Sequence, residues 1–179
     1  MRIGVDLDDT ICRTTERVHE KVEIFSKKLN LNPLDVMNDE LLSEQFFKEN
    51  LEEIYKTVEI KREVKKVLKR LRSKGNEIYI ITARKADIVS NVKEITKKWL
   101  KDNEIEVDKI IVEAYGEKKA IICKENHIDL MIEDDPYNFR KIQAKRIPCI
   151  LFDDRERYDL RHDYMTNWLD IEKYIERNR

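Results

Sequence analysis

The chain has 179 residues, 41% hydrophobic and 41% charged, with a formal net charge of −1. That suits one core with at most a modest insertion, and the balanced charge gives no sign of bulk attraction to nucleic acid or to a membrane. Cys12, Cys123 and Cys149 lie far apart without a CxxC pair, and no signal-like or membrane-length apolar run occurs, so the expectation is a cytoplasmic protein without a disulfide framework or zinc site.

Residues 2–7 (RIGVDL) read as a short buried strand. Over 14–29, Val18, Val22, Phe25 and Leu29 fall at helical spacing. Residues 33–57 mix apolar side chains with many acids and read as short helices. A clearer helix follows over 62–74, stopped by Gly75 in the C′ manner. From there the pattern alternates: strands at 76–82, 109–114, 128–134 and 148–153, helices at 87–102, 118–126, 136–145 and 170–177. Such alternation predicts an α/β fold, a Rossmann-like parallel sheet sandwiched by helices. Residues 13–61 stand outside it, as a small helical cap inserted after the first strand, with 1–12 and 62–179 forming the core.

In open parallel sheets, sites form where strands end. The first strand ends in Asp6, Asp8, Asp9 and Thr10, the second in Thr82-Ala83-Arg84, and the fourth in Glu133-Asp134-Asp135, with Lys118 and Lys119 on the helix before it. Singly each has a bland reading: Asp135 before Pro136 suits an N-cap, Thr82 a cap, the lysines solvated side chains. Jointly, four carboxylates at one edge repel, which raises pKa values or calls for a cation. Oxygen-only ligands suit Mg²⁺. A carboxylate beside Mg²⁺ suits phosphoryl chemistry, with one aspartate as nucleophile and another, two residues on, as acid and base. Physics alone leaves Lys118 and Lys119 as equals.

"DLDDT" (6–10), "ITAR" (81–84), Lys119 and "MIEDD" (131–135) resemble the ordered motifs of the haloacid dehalogenase (HAD) superfamily of phosphohydrolases. The resemblance implies Asp6 as nucleophile and metal ligand, and Asp8 as acid/base with its carbonyl on the metal. Asp134 would be the acidic Mg²⁺ ligand, with Glu133 and Asp135 behind it. Thr82, Ala83 and Lys119 would bind phosphate, Lys119 being preferred because Ala120 follows it. The whole chain is similar to the 5′-nucleotidase or 5′(3′)-deoxyribonucleotidase-like branch, which carries a small helical cap; "IDLMIEDDP" and "NWLDIEKYI" add to that likeness.

Two departures stand out. Asp9 replaces a common glycine, and Arg13-Thr14-Thr15 occupies the place of a base-stacking aromatic. Phe46, Phe47 and Tyr55 are candidate substitutes for that ring, with cap core as the favoured reading. Arg84 is a candidate phosphate contact, with a surface salt bridge favoured. The charged stretch 153–164 reads as a solvated loop. The expected substrate is a small phosphomonoester, foremost a nucleoside (deoxy)monophosphate, with no protein partner. The competing readings are a nucleic-acid end-processing phosphatase and a non-catalytic phosphate-binding module.

Overall fold

A computed structural model describes residues 1–157 and 164–178. Its strands β1 (Arg2–Val5), β2 (Glu77–Ile81), β3 (Lys109–Ile111), β4 (Leu130–Glu133), β5 (Cys149–Phe152) and β6 (Tyr164–Met165) form a parallel sheet of order β3-β2-β1-β4-β5-β6. The order reverses at β1, so its carboxyl end opens between two diverging crossovers, the place where such sheets bind ligands. The two-residue β6 is too short to carry an alternation signal, and it was not among the expected strands.

The first strand is unbroken apolar sequence because it is buried on both faces. On one face, Ile3, Val5, Ile78, Ile80, Leu130 and Ile132 pack against α4 (Val64–Ser73), α5 (Val92–Asp102) and α8 (Trp168–Arg177). On the other, Ile81 and Met131 meet α6 (Gly116–Glu125) and α7 (Pro136–Ala144). Gly4 lies on that second face because there is no room for more: a Cβ there would sit 2.7 Å from the Met131 Sδ.

Helix α4 ends as its sequence predicts. Gly75 takes φ +80°, its N–H reaches the Arg72 carbonyl, and the Asn76 N–H reaches that of Leu71. By contrast, α5 starts at Val92 and not at 87. Residues 87–91 turn instead, burying Val89 beside the cap and leaving Ile88 exposed.

Helices α1 (Thr14–Leu29), α2 (Pro33–Asn38) and α3 (Glu40–Thr57) follow β1. Asn32 and Asp39 cap the second and third, accepting from Leu34 and Leu42 N–H at 2.9 Å each. Their shared core is Val22, Phe25, Val36, Phe46, Ile54 and Tyr55, extended by Val89, Val92 and Ile95 from the α5 side. Leu29, expected on the buried stripe of α1, is exposed. The chain enters and leaves this unit through two adjacent segments: Arg13 N–H donates to the Glu59 carbonyl and Lys61 N–H to that of Ile11.

On the far side, Arg70 of α4 forks onto Glu172 of α8 at 2.6 Å for both bonds. Hydrogen bonding from Arg70 holds the Glu172 carboxyl below its ordinary range. A depressed carboxylate stabilises the fold above its unfolded pKa and loses that contribution as pH falls. Glu172→Gln should therefore cost roughly 0.5–1 kcal/mol at neutral pH. The gap to wild type should close as urea melts are taken below about pH 4.

Candidate active site

Asp6 and Asp8 follow β1 directly. Asp6 N–H still bonds the Ile132 carbonyl, so its backbone is fixed by β4. The turn beyond is pinned from elsewhere: the Trp168 indole N–H donates to the Thr10 carbonyl at 3.2 Å, giving the tryptophan of "NWLD" a direct role in shaping the site. Asp9 takes φ +58°, a conformation that aspartate tolerates better than most residues. Its carboxylate accepts from the Thr15 N–H at 3.0 Å and from the Thr15 hydroxyl, and it pairs with Arg155. Its charge still reaches Asp134, where it adds to the rise of that carboxyl.

Lys119, one turn into α6, is fully buried. Its Nζ lies 2.6 Å from Asp6 Oδ1 and 2.5 Å from Glu133 Oε2. The neighbouring Lys118 is exposed, 3.8 Å from Glu113. Lys119, the lysine that the resemblance implied, is thus the one beside the acids, and Lys118 is not. Asn138 of α7 braces the arrangement, donating to Glu133 Oε1 at 3.1 Å and accepting from the Gly116 N–H at 2.7 Å. Asp135 caps α7, its Oδ1 accepting from Tyr137 N–H at 2.7 Å.

Asp6, Glu133 and Asp134 each offer a carboxylate oxygen within 4.8 Å of the others. Asp134 also accepts from Thr10 Oγ1 at 3.2 Å and meets Arg157 at 3.1 Å. Burial drives the Asp134 carboxyl up to about 7, Glu133 adding to the rise and Arg157 opposing it. Burial likewise raises Asp6 well above the ordinary carboxylate range, against the pull of Lys119. Such acids gather where a positive charge can share them.

Asp8 stands apart. Burial alone would lift its pKa, but Arg84 and Thr14 outweigh that and hold it low. Arg84 is fully buried, with Nε 2.9 Å from Asp8 Oδ2 and Nη2 2.8 Å from Oδ1. The expected surface salt bridge is therefore a buried one, aimed at a site carboxylate. Thr82 lies as far past Ile80 as Leu7 past Val5, its register partner, and is buried, with Ala83 half-buried after it. Phe46 is enclosed in the cap core, edge-on to Phe25 at 5.5 Å and to Phe47 at 5.1 Å. Phe47 is half-buried on the same cluster.

Thr10, Thr14, Asn138 and Arg157 escaped sequence reasoning. Asn138 had a usable signal, sitting one turn after the Asp135 cap on the helix that follows the acids. Arg157 corrects the solvated-loop expectation for 153–157. Asp153 is fully buried and bonds Arg157 at 3.1 Å, and Asp154 pairs with buried Lys61 at 2.6 Å. The rest of that stretch, 158–163, lies outside the described residues.

The sheet brings two acidic turns and a buried lysine to its switch point, and the match of the whole chain to a nucleotidase family, described below, makes it a phosphoric monoester hydrolase of the HAD superfamily. Among solved structures, the fold matches a haloacid dehalogenase-like hydrolase from Streptococcus pneumoniae at TM-score 0.74, with 15% identity over 97% of each chain. A magnesium-bound HAD-hydrolase chain, YfnB of Bacillus subtilis, matches at 0.72 with 13% identity over 97% of each. A chain described as a predicted phosphatase from Clostridium acetobutylicum matches at 0.72 with 14% identity over 98% of each. No curated protein matches the sequence. The model of the family described as 5′ nucleotidase, deoxy (Pyrimidine), cytosolic type C (NT5C) matches residues 1–179, and the chain belongs to that family.

Proposed function

We propose that the protein is a Mg²⁺-dependent phosphatase of nucleoside (deoxy)monophosphates. The observation that carries the reading is the buried triad of Asp6, Lys119 and Glu133, with Asp134 in ligand reach of the two acids. Asp6 attacks phosphorus, forming an aspartyl-phosphate as the ester P–O bond breaks. Asp8, which Arg84 and Thr14 keep ionised at rest, takes a proton from the substrate's phosphate monoanion and passes it to the departing oxygen, then takes one from the water that cleaves the Asp6–phosphorus bond. Thr82 and the Ala83 N–H, with Lys119, hold phosphate oxygens.

Burial raises Asp6 and Asp134, and the all-oxygen set they form with Glu133 fits a hard divalent cation. Asp6, Asp134 and the Asp8 carbonyl would hold it, with Glu133 and Asp135 behind them. When bound, it neutralises the phosphate and the acids. The NT5C match supports a small phosphorylated nucleotide over a polymer. A cytoplasmic location agrees with three unpaired cysteines. No helix among the described residues is long and apolar enough to cross a membrane.

Phosphate release from nucleotides, sugar phosphates and phosphorylated oligonucleotides tests the substrate. Nucleoside monophosphates should rank first, and EDTA should abolish turnover. Preference for oligonucleotides would turn the reading to end processing, and no turnover of any of them to a binding module. Thermal melts supply a second measurement. Mg²⁺ at a hundred times its Kd should add roughly 2.7 kcal/mol to stability, and an unmoved Tm would remove the metal from the site.

A further inference from the structure

The Asp8–Arg84 pair does not end at Arg84. Its guanidinium carbon lies 3.9 Å from the centre of the Tyr55 ring, on α3 of the cap. Its Nη1 reaches Thr96 Oγ1 of α5 at 3.3 Å. The arginine is therefore held flat, with an aromatic face on its plane, a hydroxyl at one end and a carboxylate in its fork. Asp8 is gripped a second time from the cap, since Thr14 Oγ1 at the start of α1 donates to Asp8 Oδ1 at 2.5 Å. Of the two, only Asp8 keeps contact with solvent: its side chain is 27% exposed and that of Arg84 is not exposed at all. Arg84 thus has its donors committed to Asp8 and Thr96 in this arrangement.

We infer that Arg84 is a positioning residue that aims the Asp8 carboxylate, and that Tyr55 of the cap sets the plane of Arg84. An acid must meet the departing oxygen within hydrogen-bond reach, and a misplacement near 1 Å costs on the order of a hundredfold in rate. A fork fixes both oxygens of a carboxylate, whereas the lone Thr14 hydroxyl fixes one and leaves rotation free. The guanidinium needs a flat partner to keep its own plane, and the Tyr55 face supplies it. The cap thereby contributes to the chemical step as well as to enclosure of the substrate.

The inference rests on the reading of Asp8 as acid and base, and the test separates the two. Tyr55→Leu removes the ring, Tyr55→Phe keeps it, and neither touches the acidic cluster. Both are compared on an alkyl phosphate, whose leaving oxygen needs a proton, and on p-nitrophenyl phosphate, whose leaving group does not. Tyr55→Leu should lower kcat on the alkyl substrate roughly tenfold, with KM little changed, while the pre-steady-state burst of p-nitrophenol, which uses Asp8 neither as acid nor as base, stays near wild type. Tyr55→Phe should restore most of the loss. In an Asp8→Asn background, Tyr55→Leu should add nothing further. A p-nitrophenol burst slowed as much as alkyl turnover, equal losses in Leu and Phe variants, or a full further loss without Asp8 would each overturn the relay. If Asp8→Asn leaves alkyl phosphate turnover intact, the reading of Asp8 fails first. If Asp8→Asn acts and Tyr55→Leu does not, only the relay fails. Arg84→Lys, which keeps the buried charge without the fork, should likewise slow alkyl turnover more than the p-nitrophenol burst, and wild-type alkyl turnover in it would also overturn the assignment.

Discussion

Asp6→Asn should lower turnover by on the order of 10⁴-fold or more while leaving the protein at least as stable as wild type. The two halves of that expectation come from one site. An amide oxygen of the same shape cannot attack phosphorus, so the chemical step stops. Yet Asp6 is a buried carboxylate held well above its ordinary pKa by burial and by Glu133 and Asp134. Removing its charge relieves repulsion, and Lys119 keeps Glu133 as a partner at 2.5 Å. The check is kcat on an aryl phosphate beside Tm in chelator. Turnover within tenfold of wild type would mean that another group is the nucleophile.

Lys119→Met should act in the opposite sense on stability. The lysine is fully buried between Asp6 and Glu133, and its charge holds both. Methionine fills similar space but leaves the two acids facing each other without it. Breaking a buried ionic cluster by removing one partner costs about 3–5 kcal/mol. For a domain of this size that is a fall in Tm of roughly 10 °C. Added Mg²⁺ should recover more stability in this variant than in wild type, because more uncompensated charge awaits it. Phosphate turnover should also collapse. A Tm within a degree or two of wild type in chelator would show that the acids are protonated and need no counter-charge.

The sheet was legible because each of its longer strands is a continuous apolar run followed by an amphipathic helix, so local pattern and tertiary burial agree. The clustering of Asp6, Thr82, Lys119 and Asp134 was legible for a related reason, since parallel topology carries strand ends to one edge whatever the loops do. Arg84 was misread in its setting. Composition places arginines at the surface, and nothing local to "ITAR" says that Asp8 lies across the neighbouring strand or that Tyr55 covers the guanidinium. Arg157 was missed similarly, because a charged loop gives no periodicity and its partners are Asp134 and Asp153. The delayed start of α5 has the same origin. Val89 answers to the cap's core and not to the helix it precedes.

The paired segments at 11–13 and 59–61 have a further consequence. Because the insertion departs and returns through neighbouring backbone, the sheet experiences it as a closed branch whose length hardly matters to the entropy of folding the trunk. Natural variation can therefore lengthen, shorten or re-face that branch while the acids on the trunk stay put. What limits this freedom is the seam of Val89, Val92 and Ile95 and the tyrosine that reaches Arg84. Selectivity can drift by changing the branch, but a branch that loses the tyrosine must find another way to keep the arginine flat.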